Sequence, residues 1–451
     1  MRSFASISTC LFAFVTGCGD DGGVNKLPDA PLAPDGPTPD SIPSGTVNVT
    51  TMAPCCDVAA NTPEPNIVVI SLSAEGTLVA TATTGADGKA SIEVREGGSV
   101  SAVYPEDETH NNRLQTFVGV KPNDNLTFGE GYFTPNVSGA NGNMTVNWPA
   151  FPNTMEYRVA NACMSSSSSS LTIDLSLYDY CQTATSPIAL LAIDANYNII
   201  ASAYLPTAAT APGSVIPSGD VTWVAQTQDN STVSITGLNS VVNDVYLSAY
   251  GEYPFYIGYG GSSNWVGPKA GAASQTFTTS STAPYKYARA ELYRSGNFGR
   301  QDYLKGGASP YAMTATALPW IDGEKLISFA QRRLIWFETT GDYDAATLDL
   351  HWSRYDKKTS HYYTWTLILP PKVADFRFPT PPSELAAFQP TEMDSVSSYL
   401  QLVDLSSASS YDAARALPFW RVTDPYSAVR SGDEPSAAIS YDGEGYAAFT
   451  D

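Results

Sequence analysis

The sequence predicts an all-β protein in which β-sandwich domains follow one another after a disordered tether. Apolar and polar side chains alternate in segments of roughly four to eight residues, the pattern of a half-buried strand. Glycine and proline number 34 and 32 among 451 residues, and they interrupt these segments at short intervals, as turn residues do. Long runs of strong helix formers are almost absent. Because a chain of this length exceeds one hydrophobic core, we expect several domains.

Residues 1–17 have the layout of an export signal, with one basic residue, Arg2, before a mostly apolar stretch over 4–15. That stretch is shorter than the roughly 20 apolar residues of a membrane-spanning helix. The motif VTGC at 15–18 resembles the cleavage box of bacterial lipoproteins. The resemblance implies that residues 1–17 are a lipoprotein signal peptide and that Cys18 becomes the lipidated first residue. An ordinary signal peptide is the alternative.

Lipidation of Cys18 would place the protein outside the cytoplasm, held on a bacterial membrane by its acyl chains alone. Gly19 stands where enteric bacteria use an aspartate to retain lipoproteins in the inner membrane. Its presence favours the outer membrane, on the periplasmic side or at the cell surface. Residues 18–44 are rich in Pro, Asp and Gly and have few apolar side chains. We therefore expect them to form a disordered tether that acts as a spacer.

The first predicted domain spans residues 45–131. Alternating segments precede and follow Asp87-Gly88, and this dipeptide between two alternating segments predicts a hairpin turn. The motif TTGADGKASIEV at 83–94, with GVKPNDNLTFG at 119–129, resembles the carboxypeptidase regulatory-like, or transthyretin-like, sandwich and bacterial Ig-like relatives. The resemblance implies an accessory module without an active site.

The second predicted domain spans residues 132–210. A strand ending in Trp148, a turn with Pro149, and the motif Tyr157-Arg158-Val159 resemble the B and C strands of a fibronectin type III domain. The later strands are expected at 171–173 and 188–193, the last hairpin turn at 194–198, and a flexible loop at Ser165–Ser170.

Two further sandwiches are predicted at residues 211–318 and 319–451. In the third domain, segments 234–238 and 245–250 resemble the E-to-F corner of a fibronectin domain. The fourth is expected to contain strands at 333–338, 347–355 and 362–369, a turn-rich crossing at 376–385, and one short helix at 411–417.

Four of the six cysteines lie in the predicted domains: Cys55, Cys56, Cys163 and Cys181. An even number of cysteines in an oxidising compartment predicts disulfides. Proximity along the chain favours a Cys163–Cys181 bridge, which would contribute about 3 kcal/mol by loop entropy. Because Cys55 and Cys56 are adjacent, cross-pairing with the other two and a pair of free thiols both remain alternatives.

The charge of the chain limits its partners. The net charge is -21, and removal of residues 1–17 deletes one arginine and no acidic residue, which gives -22. Such a chain repels phosphate backbones and anionic lipid surfaces, so no nucleic-acid partner is expected. The protein would contact the membrane through its lipid anchor only. A protein or a glycan remains a possible ligand.

The motifs of nucleophilic and metal-dependent enzymes are missing. The sequence contains no G-x-S-x-G, no H-E-x-x-H and no Gly-rich phosphate loop. His351 and His361 invite a metal hypothesis, but alternation on a hairpin that pairs Trp352 with His361 puts the two histidines on opposite faces. A zinc site is disfavoured, because no second Cys or His cluster completes four ligands. We therefore predict no metal, no cofactor and no catalytic residue.

Acidic side chains leave an enzyme as the rival interpretation. With 45 acidic residues, a carbohydrate-active enzyme with a carboxylate pair in residues 211–451 is the alternative function. Glu291, Glu338 and Asp349 lie in strand-like segments. Calcium at Asp342-x-Asp344 or Asp442-Gly443-Glu444 is a weaker hypothesis, because neither has EF-hand spacing and solvated turns explain both.

An aromatic segment between residues 246 and 265 is the predicted binding surface. Val245, Leu247 and Ala249 are expected on one face of a strand, and Tyr246 and Tyr250 on the other. Exposed aromatic side chains contact sugars and anchor protein interfaces. The candidate residues are Tyr250, Tyr253, Phe255, Tyr256, Tyr259 and Trp265, with core or inter-domain packing as the alternative. The expected function is thus non-catalytic recognition or scaffolding in the cell envelope, and a passive spacer is a third alternative.

Overall fold

The computed structural model describes the following parts of the chain: residues 42–52, 63–104, 106, 111–129, 142–161, 164–177, 185–226, 228–252, 264–265, 271–280, 283–294, 299–316, 318–328, 331–355, 358–372, 375–379, 382–391, 394–442, 445–446 and 448–449. Cys18 and the four cysteines of the predicted domains lie outside these residues, as do the signal peptide and nearly all of the tether. The predicted lipidation and disulfide therefore stay predictions.

Strands account for most of the described residues, as the composition predicts. The strands before residue 226 are β1 Ser44–Thr51, β2 Val68–Leu72, β3 Leu78–Thr83, β4 Lys89–Arg95, β5 Gly98–Tyr104, β6 Asn111–Val120, β7 Asn125–Phe128, β8 Asn143–Asn147, β9 Glu156–Ala160, β10 Ser165–Ser168, β11 Thr172–Ser176, β12 Thr185–Ile193, β13 Ile199–Ala209, β14 Val215–Ile216 and β15 Val224–Ala225.

The remaining strands belong to the second half of the chain. They are β16 Gln228–Leu238, β17 Val242–Glu252, β18 Asn264–Trp265, β19 Gly271–Ser280, β20 Tyr285–Arg294, β21 Arg300–Gly306, β22 Tyr311–Thr314, β23 Ile321–Ser328, β24 Arg333–Glu338, β25 Ala345–Tyr355, β26 Ser360–Leu369, β27 Asp375–Arg377, β28 Ser397–Leu405, β29 Ser436–Tyr441, β30 Gly445–Tyr446 and β31 Ala448–Phe449. The helices are α1 Tyr411–Arg415, α2 Phe419–Thr423 and α3 Pro425–Ser431, with 3-10 turns at Ser218–Asp220 and Ser383–Phe388.

A 13-stranded sheet is the centre of the fold. Its order is β18-β17-β20-β21-β29-β28-β25-β26-β6-β5-β2-β3, and β30 pairs with β28 outside this path. Strands from the predicted first, third and fourth domains thus share one sheet. The junction is the parallel pair of β6 with β26, in which Leu114 lies opposite Trp365. The domain boundaries stay predictions, but the strands of three predicted domains lie side by side in one sheet, which no local pattern indicates.

Smaller sheets pack on both faces of the central sheet and make the all-β sandwich architecture that the sequence predicts. One face buries Leu348, Leu350 and Leu402 together with residues of β16, β19, β22, β23 and β24. The other face buries Ala345, Ile368 and Val403 under the three helices, and β1, β4 and β7 cover its far end. We call the second one the helix-bearing face.

A separate sandwich occupies residues 142–226. The sheet β11-β8-β14 packs against β10-β9-β12-β13-β15, and buried Trp148 and Tyr157 lie in its core with ring centroids 5.5 Å apart. The 194–198 turn is confirmed, because the Asp194 N–H donates to the Asn198 carbonyl at 2.9 Å. The predicted flexible loop at Ser165–Ser170 is wrong in part: Ser165–Ser168 form the edge strand β10, where polar side chains protect an open edge.

The predicted hairpin at Asp87-Gly88 is also wrong. A turn forms there, but β3 pairs with β2 whereas β4 pairs with β1, so the turn connects two stacked sheets. Gly88 has a φ of +67°, and a Cβ atom on it would lie 2.6 Å from the Thr51 carbonyl oxygen. Glycine is therefore required at this crossing.

Three short helices replace the one that the sequence predicts near Tyr411. Ser410 caps α1 by accepting the Ala413 N–H, and Asp424 caps α3 by accepting the Ser427 N–H. Phe419 of α2 packs edge-on against Phe117 at 5.2 Å between ring centroids. Within the parts of the chain that are described, no helix is long and apolar enough to cross a membrane.

Candidate functional site

The predicted aromatic surface lies mostly outside the described residues, including Tyr253, Phe255, Tyr256 and Tyr259. Trp265 is described by its backbone alone, which pairs with Tyr246 at the edge of the central sheet. Val245, Leu247 and Ala249 are buried in the core and Tyr246 and Tyr250 occupy the other face, as expected.

Tyr250 contributes to packing. Its ring is stacked on buried Tyr287 at 4.7 Å with an interplanar angle of 16°. The Tyr287 hydroxyl donates to Glu252 at 2.9 Å and is also hydrogen-bonded to the Tyr426 hydroxyl of α3. Glu252 accepts in addition the Arg430 Nε–H at 2.8 Å. This network joins α3 to the central sheet.

A second group of aromatic side chains lies on the part of the helix-bearing face that the helices leave uncovered. Tyr355, Tyr362 and Tyr399 are 70%, 50% and 43% exposed. They belong to β25, β26 and β28, which are neighbours in the central sheet. We call this region the open face; its residues are Asp349, His351, Tyr355, Tyr362, Thr364, Thr366, Tyr399 and Gln401.

Strand register explains why these side chains share a surface. Cα partners on adjacent strands project to the same face of a sheet. Tyr399 lies opposite Asp349, which lies opposite Thr366. One step along the strands, His351 lies opposite Thr364. The open face therefore presents aromatic rings in rows with hydrogen-bonding side chains.

Contacts within the open face hold its centre in place. The His351 ring meets the Tyr399 ring edge-on at 5.8 Å between centroids. A hydrogen bond of 3.2 Å joins the His351 Nδ1 atom to the Thr364 Oγ1 atom. An orienting partner on each side of the imidazole limits its rotation, so the surface is partly preorganised for a ligand.

The predicted histidine geometry is right about faces and wrong about register. His351 and His361 lie on opposite faces of the sheet, but the pairing is shifted by two residues, so Trp352 lies opposite Tyr363 and Arg354 lies opposite His361. A shift of two residues preserves the alternation and hence the apolar face. The stacked rings of Trp352 and Tyr363, 5.5 Å apart at 8°, stabilise the observed register.

An arginine–carboxylate cluster lies on the same face, towards β20. Both arginines donate to Asp302: the Arg289 Nη2 atom lies 2.7 Å from its Oδ2 atom, and the Arg300 Nε atom lies 2.7 Å from its Oδ1 atom. Arg289 also pairs with Glu291 at 3.1 Å, and the Tyr293 hydroxyl donates to Glu291 at 2.8 Å. Burial raises the pKa of Asp302 to about 7, and the Arg289 guanidinium acts in the opposite direction.

This cluster is the nearest approach to the carboxylate pair of a glycosidase. Glu291 and Asp302 lie directly opposite each other on β20 and β21. However, Asp302 is only 1% exposed and both of its oxygens accept hydrogen bonds from arginine. A glycosidase needs two carboxyls that can reach a substrate. The geometry therefore fits a structural ion-pair network better than an acid–base pair.

The other acidic residues singled out in the sequence have structural partners. Glu338 accepts hydrogen bonds from Trp336 Nε1 at 2.9 Å and from the Tyr343 hydroxyl at 3.0 Å. Asp442 forms a buried ion pair with Lys325. Among the residues that the structure describes, no three His, Cys, Asp or Glu side chains are grouped so as to hold a metal ion.

Comparisons with known proteins give little guidance. No family model and no curated protein match the chain. Among solved structures, the chain is similar to the TIE protein of Bacillus anthracis, with 11% identity, 60% of this chain and 49% of that chain covered, and a TM-score of 0.15. The chain thus spans about half the length of that protein.

A second solved structure with some similarity is a DUF3823 family protein from Parabacteroides merdae. The identity is 9%, the alignment covers 56% of this chain and 93% of that chain, and the TM-score is 0.15. At these TM-scores neither likeness carries an argument about fold or function.

The open face was missed by sequence reasoning. Tyr362 and Tyr399 stand at alternate positions with other polar residues, which indicates a solvent-facing side of each strand. The pattern does not reveal that β25, β26 and β28 are neighbours, because their order is decided by non-local pairing.

Proposed function

We propose that this protein is a lipid-anchored protein of the bacterial cell envelope that recognises a neutral glycan, without catalysis, through the open face. The observation that carries the proposal is the set of three exposed tyrosines, Tyr355, Tyr362 and Tyr399, on adjacent strands of one sheet face. A passive spacer would not require such a surface.

The chemistry of the open face favours a glycan over a protein partner. Aromatic rings stack on the C–H faces of sugar rings, and the polar side chains between them can hydrogen-bond to sugar hydroxyls. Asp349, Thr364 and Gln401 supply such groups beside the tyrosines. A protein interface of comparable size would have a more continuous apolar centre.

The overall charge favours a neutral ligand. A net charge of -21 repels anionic polymers at a distance. The arginines of the neighbouring cluster do not reverse this, because Arg289 and Arg300 are already paired with Asp302.

Binding to neutral polysaccharides tests the recognition role. The full mature chain would be run by affinity electrophoresis in gels that contain soluble glucan, mannan, xylan or galactan. We expect retardation by at least one of them, and a loss of affinity of at least about tenfold, or 1.4 kcal/mol, in the double variant Tyr362→Ala/Tyr399→Ala.

The matched control is Tyr197→Ala. Tyr197 is 72% exposed but lies in the 194–198 turn of the separate sandwich, so its removal should leave retardation unchanged. Absence of retardation in every gel, or equal retardation of the double variant, would contradict glycan recognition. Release of reducing sugar ends would instead identify the alternative, a carbohydrate-active enzyme.

Detergent partitioning tests the anchor separately. With Triton X-114, the wild-type protein expressed in a bacterial host should enter the detergent phase, and Cys18→Ala should remain in the aqueous phase. Cys10→Ala, which changes a cysteine within the signal, should behave as wild type. Protease treatment of intact cells then distinguishes a surface location from a periplasmic one.

A further inference from the structure

A cavity of about 230 Å³ lies on the face of the central sheet opposite the helices. It is bounded by β21, β28 and β29 on one side and by β22 of a smaller sheet on the other. Since β22 is the edge strand of its sheet, the cavity opens along that edge. The open face lies on the other side of the central sheet, so the two features are independent.

Polar residues of the central sheet line the cavity, among them Tyr303, Lys305 and Asp404. Alternation places Tyr303 and Lys305 on one face of β21, and Tyr303 lies opposite Ala438, which lies opposite Asp404. Because Ala438 is the residue between the two, its small side chain leaves the space open. Strand spacing puts the Cα atoms of Lys305 and Asp404 about 12 Å apart.

One end of the cavity carries an acid pair. Asp404 lines the cavity, and the neighbouring Asp344 carboxyl accepts the Leu405 N–H at 2.9 Å. Burial, together with the negative charge of Asp344, raises the pKa of Asp404 to about 6. Because burial favours a proton on Asp404, a ligand cation beside the two carboxyls can take the place of that proton.

The other end carries a cation. Lys305 lines the cavity, and within the described ranges no ion pair or hydrogen bond engages its ammonium group. A lysine beside a cavity with no carboxylate partner is suited to an anionic group of a ligand. One end of the cavity therefore favours a cationic group of a ligand, and the other end favours an anionic group.

We propose that this cavity binds a small zwitterion that has one ammonium group and one carboxylate. The ammonium lies against Asp404, next to which Asp344 adds a second negative charge, and the carboxylate lies against Lys305. The volume is below the usual 300–1,000 Å³ of drug-sized ligand sites, which limits the ligand to a molecule of amino-acid size.

Proton balance gives the proposal a specific signature. When the ligand ammonium displaces the proton of the Asp404 carboxyl, one H⁺ passes to the buffer. Binding should therefore tighten as the pH rises, by about tenfold between pH 5 and pH 7.5, because Asp404 loses its proton near pH 6. The other charged or titratable groups around Asp404 are Asp342, Asp344, Glu434, Tyr303 and Lys305.

Calorimetric titration of the full mature chain tests the proposal with a defined series of probes. The series is glycine, 4-aminobutyrate and 6-aminohexanoate, with butylamine and butyrate as single-charge controls. We expect one zwitterion to bind at least about tenfold more tightly than either control, with an enthalpy that depends on the ionisation enthalpy of the buffer at pH 5.

Variants separate the two ends of the site. Lys305→Gln should weaken the zwitterion to the level of butylamine, and Asp404→Asn should abolish the pH dependence. Ala438→Leu fills the cavity without changing charge, so it should prevent binding. Lys89→Gln changes an exposed lysine of β4 and should bind as wild type, and thermal unfolding confirms that each variant is folded.

The proposal fails if no zwitterion in the series binds at 10 mM, or if Ala438→Leu binds as tightly as wild type. It also fails if butylamine or butyrate binds as tightly as the best zwitterion. None of these results depends on glycan binding, because the polysaccharide experiment uses a different face of the sheet.

Discussion

The two halves of the helix-bearing face are built on the same strands but differ in burial: one half is covered and the other is exposed. In the covered half, Ala345, Ile368 and Val403 are fully buried beneath the helices. In the open half of the same strands, Tyr362 and Tyr399 are about half exposed. The alternation of side chains is identical in both halves. The difference is that three short helices, which contain fewer than twenty residues between them, cover only one.

We infer from this difference that the covered half contributes to the stability of the fold and the open half to recognition. Side chains in the covered half are surrounded by other apolar groups, so changes there should lower the free energy of unfolding. Truncation of side chains in the open half should change the free energy of unfolding little, because these side chains are already in water. Four changes follow, from the largest expected effect to the smallest; three of them test this division, and the third in order concerns Asp404 on the opposite face of the sheet.

Phe419→Ala removes the aromatic ring of α2 from the covered half. Phe419 is 1% exposed and packs against Phe117 and Phe128 at 5.2 and 6.0 Å between centroids. We expect a loss of about 3–5 kcal/mol in the free energy of unfolding, measured by urea denaturation. Phe419→Leu, which retains most of the volume, should lose about 1 kcal/mol. Equal losses would show that the site collapses without a cavity.

Glu252→Ala breaks the ion pair between α3 and the sheet. Arg430 is fully buried, and its Nε atom donates to Glu252 at 2.8 Å. Removal of the carboxylate leaves a buried charge, so we expect a loss of about 3 kcal/mol. The double variant Glu252→Ala/Arg430→Met should recover part of this loss. Arg430→Met alone completes the cycle, and if its loss and the Glu252→Ala loss simply add in the double variant, the pair is not coupled.

The pH dependence of stability should reveal Asp404. Its pKa is raised from 3.8 to about 6, so between these values the folded state holds a proton that the unfolded state releases. Stability should therefore fall as the pH rises from about 4 to 6 and then level off. Asp344, whose pKa burial also raises, acts in the same direction.

Asp404→Asn should reduce that slope and stabilise the protein at pH 7, on the order of 1 kcal/mol after allowance for solvent screening. Urea denaturation at pH 4.5 and pH 7.0 measures both. A variant with an unchanged slope would assign the titration to another group.

Tyr399→Ala in the open half should have the smallest effect on stability. Because the side chain is 43% exposed, we expect a change within about 0.5 kcal/mol by the same denaturation assay. A loss above about 2 kcal/mol would mean that the tyrosine is a packing residue, and the proposed division between the two halves would not hold.

Sequence patterns predicted the local elements well. Strand β24 begins and ends at Arg333 and Glu338 as expected, and the 194–198 turn connects β12 and β13. The separation of Val245 from Tyr246 on β17, and of His351 from His361, also follows from alternation alone. These features depend on neighbours in the sequence, and a period of two residues is enough to set them.

Pairing between distant strands could not be predicted in the same way. The chain after Asp87-Gly88 crosses to another sheet, although the dipeptide is typical of hairpins. The hairpin of β25 and β26 is displaced by two residues, since either register keeps the apolar face inside. The predicted aromatic segment and the open face are both rich in tyrosine, and no local signal distinguishes the tyrosine that packs, Tyr250, from the exposed Tyr399.

The sequence by itself determined that this protein is all-β, which side of most strands is apolar, and where several turns lie, because each depends on residues close together in the chain. Only the tertiary structure decided that β6 pairs with β26 and that β25, β26 and β28 are neighbours. It also decided that Lys305 and Asp404 line one cavity. The physical reason is that many strand orders bury the same apolar faces, and packing of the whole chain selects one of them.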